Sequence, residues 1–179
     1  MRDATAMQEF AQENRLGRHL LPILGKWLAK KHFELIEEAL LEDEEVSLSF
    51  LVRFETAQNL LDEEGKERTK KLTWRTSQGY YAFALTNLNR LLYAHWRPFK
   101  AVSESVMFDR LTDVKISTSF LMGYARVGTL EDDFYLYYFS PSIKRIGKIM
   151  QTAAIEHKIM RLLTSSEEVE EEIAREHKK

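Results

Sequence analysis

The stretch Phe134-Tyr135-Leu136-Tyr137-Tyr138-Phe139-Ser140-Pro141-Ser142-Ile143 changes periodicity in mid-phrase. Up to Phe139 the residues are the aromatic and aliphatic types that suit a pleated strand. Ser140 then offers an N-cap and Pro141 a first helical residue, where a missing N–H costs little. Ile143, Ile146, Met150, Ala153, Ala154, His157 and Met160 follow at helical spacing, a stripe that needs an apolar surface to cover. Upstream, Val46, Leu48, Phe50, Val52 and Phe54 alternate with Ser47, Ser49, Leu51 and Arg53, which predicts a half-buried strand. Further strands are predicted over 72–76, 80–85, 91–96, 101–107, 111–117, 120–129 and 134–139. The joints Thr86-Asn87-Leu88-Asn89, Arg97-Pro98 and Glu131-Asp132-Asp133 are short and turn-like, which favours antiparallel meanders over parallel crossovers. Strands first and one late helix predict an α+β, mainly β, fold: a small barrel capped by the C-terminal helix.

Outward from this centre, residues 14–41 carry a helical pattern, with Leu20, Leu24, Trp27, Leu28 and Leu35 on one face and Pro22 early enough to sit in a first turn. This predicts an amphipathic helix or helix pair that starts near Leu21. Glu42-Asp43-Glu44-Glu45 sits at its C-terminal end, the unfavourable end of the helix dipole, and so favours termination there. Residues 56–71 read as a polar loop with a turn at Glu63-Glu64-Gly65-Lys66. Ser165-Ser166 is a second cap signal, predicting a separate acidic helix that starts there, runs through Glu167 to Glu172 and ends in basic residues. The implied organisation is a helical arm over 1–44, a barrel with its capping helix over 45–161 and a charged tail over 162–179.

The 179 residues are 44% hydrophobic and 30% charged, a balance that folds rather than stays disordered. A net charge of -2 supplies no global attraction to nucleic acid or membrane. The lack of cysteine excludes disulfides and thiolate chemistry and fits a reducing compartment. No run reaches the ~18 apolar residues of a membrane span, and the first twelve residues include Asp3 and Glu9 without a signal-peptide core. The expected location is cytoplasmic, with the inner membrane surface as an accessory site. His19, His32, His95, His157 and His177 form no metal-ligand spacing, and no nucleophile elbow or phosphate-cradling glycine loop occurs. The reading is therefore of no enzyme, cofactor, metal or nucleic-acid partner.

Two basic clusters are the binding candidates. Arg15, Arg18, Lys26, Lys30 and Lys31 have no acidic residue between Glu13 and Glu34, and Trp27 lies among them. Either the apolar face of this segment packs on the barrel or on a second subunit, or the segment adsorbs to an anionic membrane, each cation contributing about 1 kcal/mol. Lys70, Lys71 and Arg75 are candidate phosphate contacts, set against neighbouring acids at Asp62, Glu63, Glu64 and Glu67.

The segment Phe83-Ala84-Leu85-Thr86-Asn87-Leu88-Asn89-Arg90-Leu91-Leu92-Tyr93 resembles the second-to-third-strand hairpin of bacterial pleckstrin-homology-like domains. Val106-Met107-Phe108-Asp109-Arg110-Leu111-Thr112-Asp113-Val114 and Phe120-Leu121-Met122-Gly123 are similar to later segments of that family, and the resemblance spans roughly residues 45–160. It implies a bent, seven-stranded antiparallel barrel with one end plugged by the C-terminal helix. It also implies a non-enzymatic scaffold for protein contact or self-association. The alternative is a peripheral membrane module that binds anionic lipid or phosphate headgroups.

Overall fold

The computed structural model describes residues 1–17, 24–56 and 78–176, and the side chains of all of these except 24 and 165–176. Helices α1 (Ala4–Glu13) and α2 (Leu24–Ala39) come first. Strands β1 (Val46–Thr56), β2 (Gly79–Thr86), β3 (Arg90–Arg97), β4 (Lys100–Met107), β5 (Leu111–Thr118), β6 (Met122–Thr129) and β7 (Asp133–Phe139) follow, and α3 (Ser140–Glu176) closes the chain. The fold is α+β, mainly strands, in one antiparallel sheet of order β4-β3-β2-β1-β7-β6-β5. The predicted barrel is not closed, because β4 and β5 are the two edges of the sheet. Between them the short 3-10 turn Phe108–Arg110 buries Phe108 and redirects the chain, so consecutive strands separate instead of forming a hairpin. The predicted strand at 72–76 and the turn at Glu63-Glu64-Gly65-Lys66 lie outside the described residues.

β1 corrects the expected half-burial, since every residue from Leu48 to Glu55 is buried. Phe50, Val52 and Phe54 face one core with Phe83, Leu91, Val127, Leu136 and the α3 residues Ile143, Ile146 and Met150. Leu51 faces a second core with Ala82, Ala84, Leu92 and Ala94, into which α1 and α2 bring Ala4, Met7, Ala11, Ala29, Phe33 and Ile36. Small residues on both sides let the helices lie close to the sheet. Ser49 is accommodated there because its hydroxyl donates to the Met7 carbonyl at 2.6 Å.

Ala4–Glu13, within the predicted helical arm but ahead of its predicted helix, make α1, which Asp3 caps by accepting from the Ala6 N–H at 2.8 Å. Gly17 then bridges to Leu51 at φ 116°, where a Cβ would lie 2.0 Å from the Leu51 carbonyl oxygen, so only glycine fits. The buried face of α2 is Ala29, His32, Phe33 and Ile36, not the predicted stripe, and Trp27 and Leu28 are exposed. The C-terminal prediction is corrected as well. Ser165-Ser166 starts no new helix, because α3 runs unbroken from Ser140 to Glu176. Ser140 spends its hydroxyl on the Ser119 carbonyl at 2.7 Å, and Phe120 and Leu121 protrude in the β5–β6 turn instead of opening a strand. The stripe on α3 stays covered only as far as His157, and Met160 is exposed.

Glu44, read from sequence only as part of a helix-terminating acidic run, is fully buried against Arg90, which also donates to the Ala39 carbonyl at the end of α2. Burial alone would raise its carboxyl, but the Arg90 hydrogen bonds and charge and the Leu41 N–H outweigh that and hold it at about 2. Its contribution is present above pH 4.5 and is lost as the pH falls from 4.5 through about 2. Glu44→Ala is expected to cost about 3 kcal/mol in urea unfolding, because Arg90 is left without its partner. A Glu44→Met, Arg90→Met double variant is expected to recover most of that loss.

Candidate functional site

At the end of the sheet where β1 meets β2 and β3 meets β4, a cleft of about 660 Å³ opens between Phe54, Thr56, Gln78, Tyr81, Tyr93, His95, Arg97, Lys100, Val102 and Glu104. Its geometry follows from a defect in the sheet. β2 and β3 pair only as far as Ala82 and Ala94, short of Tyr80 and Trp96. Two histidines replace the missing bonds. The Nδ1 of His95 lies 2.6 Å from the Tyr80 carbonyl, and the Trp96 N–H donates to Nδ1 of His32, on α2, at 2.8 Å. The two rings stack with centroids 5.2 Å apart, and His95 also stacks on Tyr81 at 4.6 Å.

The partners fix the tautomers. Arg97 only donates, and its Nε lies 2.5 Å from His95 Nε2, so that nitrogen carries the lone pair and Nδ1 carries the proton given to Tyr80. His32 accepts on Nδ1, which leaves its own proton on Nε2. Both rings are therefore neutral. Burial first and then the neighbouring His95 lower His32 to about 3. Burial also lowers His95, helped by the charges of Arg97 and Lys100 and opposed by the Tyr80 carbonyl. Arg97 is further anchored on the Gln78 carbonyl. Across the cleft Tyr93 donates to Glu104 at 2.5 Å, and burial followed by that carboxylate pushes the phenol up. The acids and bases of the cleft are thus engaged with one another, and Lys100 stands at its rim.

The residues singled out from sequence do not share one stripe. Arg15 is exposed after α1, and its carbonyl accepts from Ser142 of α3 at 3.0 Å. Lys26 and Trp27 are exposed on α2, Lys30 is half-buried, and Lys31 pairs with Glu34 at 2.6 Å. Trp27 meets Trp96 edge-on at 5.5 Å. Arg18, Lys70, Lys71 and Arg75 lie outside the described residues, as do His19 and His177. The histidine pair was missed because its members are 63 positions apart in the chain and only the sheet defect unites them. Arg97-Pro98 was read only as a turn, although Arg97 lines the cleft.

No protein-family model matches the chain, and no curated protein or solved structure is significantly similar to it. Among the described residues no helix is long and apolar enough to cross a membrane.

Because His32 is held far below its ordinary value of 6.5, the unfolded chain takes up a proton that the folded one refuses. The stability it confers is complete above pH 6.5 and declines as the pH falls toward about 3. At pH 5 the loss from His32 is about 2 kcal/mol by linkage. Urea unfolding at pH 7 and pH 5 is expected to show it, and His32→Asn, which keeps an acceptor for the Trp96 N–H without titrating, is expected to reduce it.

Proposed function

We propose that this chain is a non-catalytic interaction module of the pleckstrin-homology-like kind, which engages a protein partner or a second copy of itself through α3. The strand order, uniformly antiparallel with a closing helix, supports that kinship. The engagement of the cleft's acids and bases with one another supports a binding role over a catalytic one.

The observation that carries the proposal is the surface of α3. Its 37 residues extend about 55 Å at the helical rise, and only the first turns cover the core. Beyond them Ile155, Ile159, Met160, Leu162 and Leu163 are each more than half exposed. Ile155, Ile159 and Leu162 follow the four-then-three spacing of a helix-pairing seam, and the sequence carries the same register on through Ser166 to Val169 and Ile173. A cluster of large aliphatic side chains in water marks an interaction surface, since each would gain about 1 to 2 kcal/mol on burial.

Sedimentation equilibrium of the full chain at rising concentration is expected to show self-association that Ile155→Asp with Ile159→Asp abolishes without lowering the melting temperature. A photo-crosslinking residue in place of Ile159 is expected to trap the partner in cells, and one in place of Arg161 far less. A chain that stays monomeric and gives equal crosslinking from both positions overturns the proposal.

A further inference from the structure

We propose that the β3–β4 turn and the first turns of α2 form a docking tip for an anionic lipid bilayer, with Phe99 as the residue that enters the interface. Arg97 pairs with Lys100, so Pro98-Phe99 is a two-residue connection. Proline fixes the first turn position, and Phe99 occupies the second at φ 68°. A proline followed by positive φ is the type II pattern, whose second position favours glycine or asparagine. Phenylalanine there meets steric opposition from its own Cβ, and with the side chain fully exposed no core contact offsets it. A residue that breaks the local rule with no gain to the fold points to a role outside the fold.

The surroundings indicate what that role is. Beside the turn, Trp96 packs against Trp27, which is half exposed, and Leu28 adds apolar surface next to it. Arg97 and Lys100 flank Phe99, and Lys26 and Lys30 lie on the same helix as Trp27. Among the described residues Lys26, Lys30 and Lys100 join no ion pair, while the nearby Glu34 is paired with Lys31 and the Glu104 carboxylate lies further along β4, accepting from Tyr93. A protruding aromatic, tryptophan at its base and uncompensated cations around it match an interfacial membrane anchor: rings at headgroup depth and ammonium groups on anionic lipid. The charge complementarity commits the tip to such a bilayer, with no particular headgroup required. This inference is independent of the α3 reading. Met160 lies with Thr86 and Asn89 by the β2–β3 turn, at the opposite end of β3 from Phe99.

The test is co-sedimentation of the full chain with phosphatidylcholine vesicles, with and without phosphatidylserine, at low and high salt. Binding is expected only to the anionic vesicles and is expected to weaken with salt. Phe99→Asn, which tolerates the turn geometry, is expected to weaken binding about tenfold with the melting temperature unchanged or raised. Lys26→Glu with Lys100→Glu is expected to abolish it. The proposal is overturned if wild type binds neither vesicle or both equally, or if Phe99→Asn binds as wild type does. It is also overturned if Phe99→Asn disrupts self-association in the absence of lipid, which would make the tip a protein contact. None of these lipid results changes the crosslinking from position 159, so the α3 reading stands or falls separately.

Discussion

Burial of β1 on both faces is the constraint from which the other layers follow. A strand covered on one side needs a single core; with every residue from Leu48 to Glu55 buried, two are required. α3 supplies one through Ile143, Ile146 and Met150. The other needs α1 and α2, and it dictates the small residues at Ala82, Ala84 and Ala94 that admit them. The Gly17–Leu51 bridge follows from the same crowding, since the chain leaving α1 must pass against the β1 backbone itself. The N-terminal helices are consequently part of the packed structure, and the Glu44–Arg90 pair ties the end of α2 to the start of β3.

That layering also creates the defect at the cleft. α2 lies over β3 and brings His32 to the place where β2 and β3 part, so the backbone groups the ladder abandons are satisfied by imidazoles. Ladder bonds between backbone groups are indifferent to pH, whereas these depend on two neutral rings. Protonating His95 Nε2 would set an N–H against Arg97, a donor already in place. The splayed end is therefore expected to weaken in acid, and it carries both the cleft and the Phe99 turn.

Much of the fold was legible because its signals are local. Seven strand positions and the strand-to-helix switch at Ser140 follow from alternation and turn residues, each decided within about ten positions. What failed was decided at a distance. β1 reads as half-buried because Ser49 and Arg53 are polar, and their burial is tolerable because folding brings the Met7 carbonyl to one and the Tyr80 ring to the other. α2 was assigned the wrong face because Trp27 and Leu28 outweigh Ala29 and His32 in hydrophobicity, yet the close-packed layer selects the smaller pair. The barrel was inferred from the order of strands before one late helix and from the family resemblance, whereas closure depends on whether β4 and β5 meet. For the candidate site, sequence supplied Lys26, Lys30 and Trp27 but not the β3 residues that face them, because helix and hairpin are joined only in three dimensions.

The two proposed surfaces occupy opposite ends of β3, and that separation would let both proposed contacts be made at once. Phe99, Trp27 and their cations crown one end, and the α3 stripe passes the β2–β3 turn at the other. A chain seated on a bilayer by the first would hold the second away from the lipid, open to a partner. The sheet between them is a packed spacer, since β1 is covered on both faces. Held at a surface, the α3 stripes of neighbouring copies would also meet at a higher effective concentration than in solution, so a weak helix contact would become adequate for assembly. On this argument the α3 pairing that rising concentration drives in solution would proceed further once the other end has docked.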